Sequence, residues 1–322
     1  FLQHRTAMIT GRLFSLLACL LFSTSLAAQQ IAVVSDLNGR YGSTRYHERV
    51  EKAVQAIGDI GPAMVISAGD MVAGQKQPKL DEQHLQAMWD AFNQTFADPL
   101  GRGGIPFAVT PGNHDGSGFE RFALERELFE RQWRDRTGGL DLLDGSEWPR
   151  RYAARLGSVL LVSFDGTIPG RLSKQEFSFV RSMLEEYRDS ASTVIVLSHL
   201  PMWPLASGRE REILDDPDLL GLLHQYDVDL FLSGHHHLFY AGRDAGEMIH
   251  LATGALGGNA RAFSGNDARQ AHSFTLLDID EAGIHIEARP APGFLLPIDM
   301  AMLPTHIDGP LGRLTRIDLD RQ

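Results

Sequence analysis

Short β-rich apolar runs, separated by segments with helical spacing, limit the fold of this 322-residue chain more than any other feature. Ile31–Ser35, Ala63–Ser67, Ile105–Val109 and Thr193–Leu197 are each too short for a helix and apolar on both faces, as strands of a covered parallel sheet must be. Between them Tyr46, Val50, Ala53, Val54 and Ile57 recur at helical spacing. So do Leu85, Met88, Trp89, Phe92 and Phe96, and later Phe177, Val180, Leu184 and Tyr187. The alternation predicts an α/β fold with helices outside the sheet. It breaks at Arg151–Asp165 and Met248–Ile286, where strands follow one another with no helix between, and antiparallel hairpins are expected there. There is no repeat or linker, so one domain is expected over 29–289, with a Pro-punctuated extension, 290–322, packed on it.

Ligands of open α/β sheets bind outside the carboxyl ends of the strands, so the residues that follow each run carry the functional information. Asp36-Leu37-Asn38 follows the first run and Gly69-Asp70 the second. Gly112-Asn113-His114-Asp115 follows the third, Ser198-His199 the run ending at Leu197, and Gly234-His235-His236-His237 the run ending at Leu232. Singly, each reads as a cap, turn or core residue. Together they offer carboxylate, amide and imidazole donors without sulfur, a shell for divalent or trivalent Mn, Fe or Zn. The donors outnumber the needs of one tetrahedral ion, which points to two ions sharing a carboxylate. His236, between two such donors, is expected to turn away and pack.

Two further readings bound the setting. Arg5 and Arg12 precede the apolar run Leu13–Leu21, which leads to the small residues Ser25-Leu26-Ala27-Ala28, so residues 1–28 read as a secretory signal peptide and the protein as periplasmic or secreted. Cutting there also removes Cys19, the only cysteine, which suits an oxidising compartment; a rival reading lipidates Cys19. No later segment has the length of a membrane span. The net charge of −11 and the lack of a Lys/Arg run argue against non-specific nucleic-acid binding. Arg150, Arg151 and Arg155 are expected at the surface, and Gly254–Asn259 with Arg261 near the rim as possible phosphate contacts. Oligomeric state is not legible.

The series Asp36, Gly69-Asp70, Gly112-Asn113-His114-Asp115, His199 and Gly234-His235-x-His237 resembles the calcineurin-like metallophosphoesterase superfamily in order and spacing. The resemblance implies a four-layer α/β/β/α sandwich of mixed sheets, and hydrolysis of small-molecule phosphate mono- or diesters by a hydroxide shared between two metal ions. Asp70 would bridge; Asp36 and His237 would complete one site, with Asn38 beside them, and Asn113, His199 and His235 the other. His114 would donate a proton to the leaving group and Asp115 would orient its ring. Elbow, Walker and His-Glu-x-x-His motifs of other hydrolases are missing. The competing reading is a catalytically degenerate scaffold or metal-binding protein, because Asn38 stands where the family usually has His. Purple acid phosphatases also differ there, but they carry a Tyr where this chain has Ala73, so a purple iron site is not expected. An amide oxygen is a weaker donor than imidazole. Titration at limiting metal should therefore show two ions of unequal affinity, and two equally tight ions would refute this.

Overall fold

The computed structural model describes residues 29–319 apart from Gly138 and Asp267; the signal-peptide reading lies outside the described residues. In chain order the strands are β1 (Gln29–Val34), β2 (Met64–Ser67), β3 (Phe107–Val109), β4 (Asp141–Glu147), β5 (Arg151–Leu156), β6 (Val159–Ser163) and β7 (Thr193–Leu197). Then come β8 (Leu230–Ser233), β9 (Tyr240–Arg243), β10 (Ile249–Ala252), β11 (Ser273–Asp280), β12 (Gly283–Pro290), β13 (His306–Gly309) and β14 (Gly312–Arg316). The α-helices are α1 (Glu48–Ile60), α2 (Glu82–Phe92), α3 (Asp98–Arg102), α4 (Ala123–Trp133), α5 (Lys174–Tyr187) and α6 (Pro217–Gln225).

The strands form a five-stranded sheet, β12-β11-β1-β2-β3, and a nine-stranded sheet, β13-β14-β9-β10-β8-β7-β6-β5-β4. Alternation along β1 decides what each face meets. Ile31 and Val33 pack in the core between the sheets, with Leu161, Ile195 and Phe231, while Ala32 and Val34 pack outward with Val50, Val54 and Ile57 of α1 and with the aromatic group Trp89, Phe92 and Trp133. Helices α5 and α6 seal the other side through Val180, Leu184, Leu219 and Leu223. The four-layer α/β/β/α sandwich is thus present.

The helices begin where local chemistry favours it. The Asp81 side chain accepts from the His84 N–H, Ser173 accepts from Glu176, and Asp216 caps α6 ahead of Pro217. Tyr46 falls before α1 and donates its hydroxyl hydrogen to the Met71 carbonyl (2.7 Å). Phe96 lies beyond α2, in a π-helical turn, Asn93–Ala97.

Parallel pairing of β1 with β2, β2 with β3, β6 with β7 and β7 with β8 brings their carboxyl ends to one edge. The two stretches without helices behave differently. β5 and β6 pair antiparallel, as do β11 and β12. β10, however, forms no hairpin with β11: it joins the other sheet, parallel to β8 and antiparallel to β9. Beyond Pro290 the chain adds the β13–β14 hairpin, which extends the nine-stranded sheet through β9. At the opposite edge β4 pairs with β5 through two register shifts, Leu142/Asp144 and Asp144/Glu147. Arg151 is buried rather than exposed, and its guanidinium is paired with Glu176 (2.8 Å) and Glu147 (3.2 Å).

Candidate metal centre

The carboxyl edges of the two sheets meet where the loops after β1, β2, β3, β7 and β8 converge. The loops are laced together by backbone: Asp36 N–H donates to Gly69 O (3.0 Å) and Asn38 N–H to Asp70 O (3.1 Å). Several side chains reach the centre only from strained backbone. Asp36, Asp70, His235 and His237 have φ of 51°, 58°, 63° and 54°, a region that non-glycine residues seldom occupy. Gly69, at φ 95°, permits closer packing than any side chain would, because a Cβ there would lie 2.6 Å from His199 Nδ1 and 2.8 Å from the Gly112 Cα.

Each of three imidazoles is held from behind by a group that can only accept a hydrogen bond. His199 Nδ1 meets Ala68 O at 2.6 Å, His235 Nε2 meets Glu212 Oε2 at 2.8 Å, and His237 Nδ1 meets Asn259 O at 2.7 Å. Those nitrogens therefore carry the N–H, and in the neutral form of each ring the other nitrogen turns a lone pair inward. His199 Nε2 faces Asn113 Oδ1 (3.1 Å), His235 Nδ1 (3.3 Å) and Asp70 Oδ2 (3.5 Å). Ligand atoms of Asp70, His199 and His235 all lie within 4.8 Å of one another.

At the neighbouring position Asp36 Oδ2 accepts from Ser35 Oγ (2.7 Å) and from His235 N–H (3.0 Å). Its Oδ1 is buried without a hydrogen-bond partner, although His237 Nε2 stands 3.0 Å away. A proton on Nε2 makes the two an ion pair, and a cation in its place would take both atoms as donors. The donor set fits a borderline divalent cation.

The electrostatics agree. Burial works to raise the Asp36 carboxyl, but His237 beside it prevails and holds it well below the usual carboxylate range. Burial likewise opposes the charge on His199, yet the Asp70 and Asp36 carboxylates push it up to about 9, whereas burial takes His235 down to about 4. The attraction that holds a proton on His199 is the attraction a bound cation would use.

All six of Asp36, Asp70, Asn113, His199, His235 and His237 thus converge. Asn38 is buried on the same loop, but among the described residues its side-chain amide makes no hydrogen bond to any of them. His114 N–H donates to Asp70 Oδ1 (2.8 Å) and its ring Nε2 lies 3.9 Å from Asp70 Oδ2. The expected Asp115–His114 contact is not made. Asp115 instead accepts from the backbone of Met71 and Gly112 (both 2.6 Å), bracing two loops, and burial beside Asp70 pushes it up to about 7. The His114 ring is steered by Gly74 O (3.3 Å). His236 is fully buried and turns away, its Nδ1 accepting from the N–H groups of Leu205 and Ala206 (3.2 and 3.4 Å). Since His235 and His237 both adopt left-handed backbone, this divergence does not come from strand alternation.

Sequence reasoning missed Glu212 and Gln75, whose Nε2 donates to Asn113 O. Glu212 lies 23 residues before His235 in a charged loop, with nothing local to mark it. Burial would raise its carboxyl, but His235 and Arg209 hold it at about 2. Arg261 lies within the field of Asp36, Asp70 and Glu212, and burial lowers its pKa. Behind His237, Gly258 leaves no space for a side chain: a Cβ would come 2.3 Å from His237 Cε1.

A two-sheet sandwich with oxygen and nitrogen donors gathered at its carboxyl rim defines a metallophosphoesterase. The family model described as calcineurin-like phosphoesterase matches residues 30–239, and the chain belongs to that family. A manganese-dependent ADP-ribose/CDP-alcohol diphosphatase of Arabidopsis thaliana is 24% identical over 257 residues, 67% of this chain and 80% of its own length. Among solved structures, a dimetal phosphatase from Danio rerio shares the fold with a TM-score of 0.57 at 15% identity, over 81% of this chain and 96% of that one. A purple acid phosphatase from yellow lupin seeds has a TM-score of 0.62 at 16% identity over 82% of this chain, which spans only 52% of the lupin protein.

Outer hydrogen-bond partners of metal-ligating histidines set ligand geometry and basicity. Glu212→Ala should therefore weaken manganese binding by about 10–100-fold in a direct titration; unchanged affinity would mean that Glu212 does not position His235.

Proposed function

We propose that the protein is an exported, dinuclear metal-dependent phosphoesterase acting on small-molecule phosphate mono- or diesters. The observation that carries this reading is the gathering of Asp70, His199 and His235, whose ligand atoms all lie within 4.8 Å of one another, beside the buried pair of Asp36 Oδ1 and His237 Nε2, 3.0 Å apart. Asp70 would bridge two Mn, Fe or Zn ions, Asp36 and His237 completing one site beside Asn38, and Asn113, His199 and His235 the other. Bound there, the cations would supply Lewis acidity, activating water near neutral pH and balancing charge on the phosphoryl oxygens. The manganese dependence of the Arabidopsis relative supports Mn, and its diphosphatase activity supports including diphosphates among the substrates.

The chain's own groups do the rest. His114 is partly exposed beside Asp70, and with Nδ1–H held against Gly74 O its Nε2 can carry a proton to the departing oxygen. Asp115 keeps the Gly112 and Met71 loops, and so His114 and Asp70, in fixed relation. With the whole chain at −11, long-range steering repels anionic esters, and capture falls to local contacts such as Arg261.

With manganese supplied, p-nitrophenyl phosphate and bis(p-nitrophenyl) phosphate should both report turnover that chelation abolishes, and their ratio separates mono- from diesterase. In His114→Ala, kcat for alkyl esters should fall by about 10²–10⁴-fold. The loss should be smaller for p-nitrophenyl esters, whose leaving group needs little protonation. Full turnover of alkyl esters by that variant would remove His114 from the mechanism. For export, the chain expressed in a bacterium should be recovered from the periplasm with Ala28 or Gln29 as its first residue. An uncut chain retained in the cytoplasm would overturn the export reading.

A further inference from the structure

Building on Asn113 as a ligand of the proposed metal pair, we propose that Gln75 is a positioning residue that keeps the oxygen of the Asn113 side-chain amide, and not its nitrogen, turned toward the cation. The two ends of that amide have nearly the same shape and opposite character: Oδ1 offers lone pairs and Nδ2 offers hydrogens. Only one of the two orientations can bind a cation, and packing does not tell them apart. A hydrogen-bond partner must do so. His199, whose Nε2 lies 3.1 Å from Asn113 Oδ1, is unsuited to the task. With its Nδ1–H on Ala68 O (2.6 Å), the neutral ring presents an acceptor at Nε2, which favours the N–H end of the amide.

Gln75 makes the distinction from the other side. Its Nε2 donates to the Asn113 backbone carbonyl, a group that can only accept, so Oε1 is fixed as the end left over. That oxygen accepts from Asn113 Nδ2 (3.4 Å), which leaves Asn113 Oδ1 on the side of His199. One side-chain amide thus reads both the backbone and the side chain of Asn113, and passes the polarity of the first to the second. The backbone is strained to allow it. Gln75 has φ 65°, a conformation that suits glycine, and its N–H is anchored on Glu125 Oε1 (3.0 Å), a carboxylate only 8% exposed. Gly74 before it has no room for a side chain, since a Cβ there would lie 2.2 Å from His114 O. The local backbone favours glycine at position 75 as well, and what the glutamine adds is its grip on Asn113.

The test is Gln75→Gly, which relieves the left-handed backbone while removing the amide. Calorimetric titration of the full chain with manganese should show the tighter binding step weakened by about 10–100-fold, with thermal unfolding of the metal-free chain unchanged. A carboxylate presents an oxygen whichever way it turns. In an Asn113→Asp background the same Gln75→Gly change should therefore alter manganese affinity by less than about twofold. Undiminished affinity in Gln75→Gly overturns the proposal. So does a loss that comes with earlier unfolding, or one repeated in full in the Asn113→Asp background, because either means that Gln75 acts by holding the loop together. An unmodified chain that binds no manganese sinks the metal centre itself, whereas one that binds it and ignores Gln75 sinks this inference alone.

Discussion

The interaction on which the rest of the structure depends is the hydrogen bond behind each inward imidazole. Ala68 O, Glu212 Oε2 and Asn259 O each fix one nitrogen as the donor, and so decide that His199, His235 and His237 offer lone pairs to the same small volume. Without these acceptors the rings would be free to satisfy themselves with Asp36 and Asp70 as ordinary hydrogen-bonded pairs. Two of the three acceptors are backbone carbonyls, set by the loops' paths rather than by a replaceable side chain. His236 shows the opposite arrangement in the same tripeptide: its Nδ1 accepts from two backbone N–H groups, which leaves it a packing residue.

Holding carboxylates and imidazoles this way is costly, and the sheets make it possible. Asp36, Asp70 and His199 are at most 1% exposed, so their desolvation must be offset by one another and by a cation. The left-handed conformations of Asp36, Asp70, His235 and His237 add backbone strain of about 1–3 kcal/mol each. A core that packs both faces of β1 and β2, between the sheets and under α1, gives the rigid frame that keeps such loops from relaxing.

What the sequence disclosed followed physical rules of short range. Period and length fixed β1, β2, β3 and β7, and placed the apolar stripes of α1, α2 and α5 where the structure has them. The site was legible because each donor lies directly after a strand, and parallel strands deliver their carboxyl ends to one edge. Contacts distant in sequence were not legible. Nothing around Glu212 distinguishes it from its charged neighbours. Asp115 sits next to His114 yet bonds to Met71 instead, because the backbone turns between them; sequence adjacency is a poor guide in a tight loop. The transfer of β10 to the other sheet depends on tertiary pairing with β8, which its own residues do not encode. Arg151 looked like a surface charge until the folded chain brought Glu176 to it.

The irregular pairing of β4 bears on how this protein behaves at high concentration. A regular outer strand would offer its free N–H and C=O groups as a template for other molecules, the usual seed of sheet-mediated aggregation. Here β4 is out of step with β5 at two places and carries Asp141 and Asp144, so an incoming strand meets both a broken ladder and like charge on an acidic protein. Straightening that strand, or neutralising those two acids, would make this sheet edge sticky.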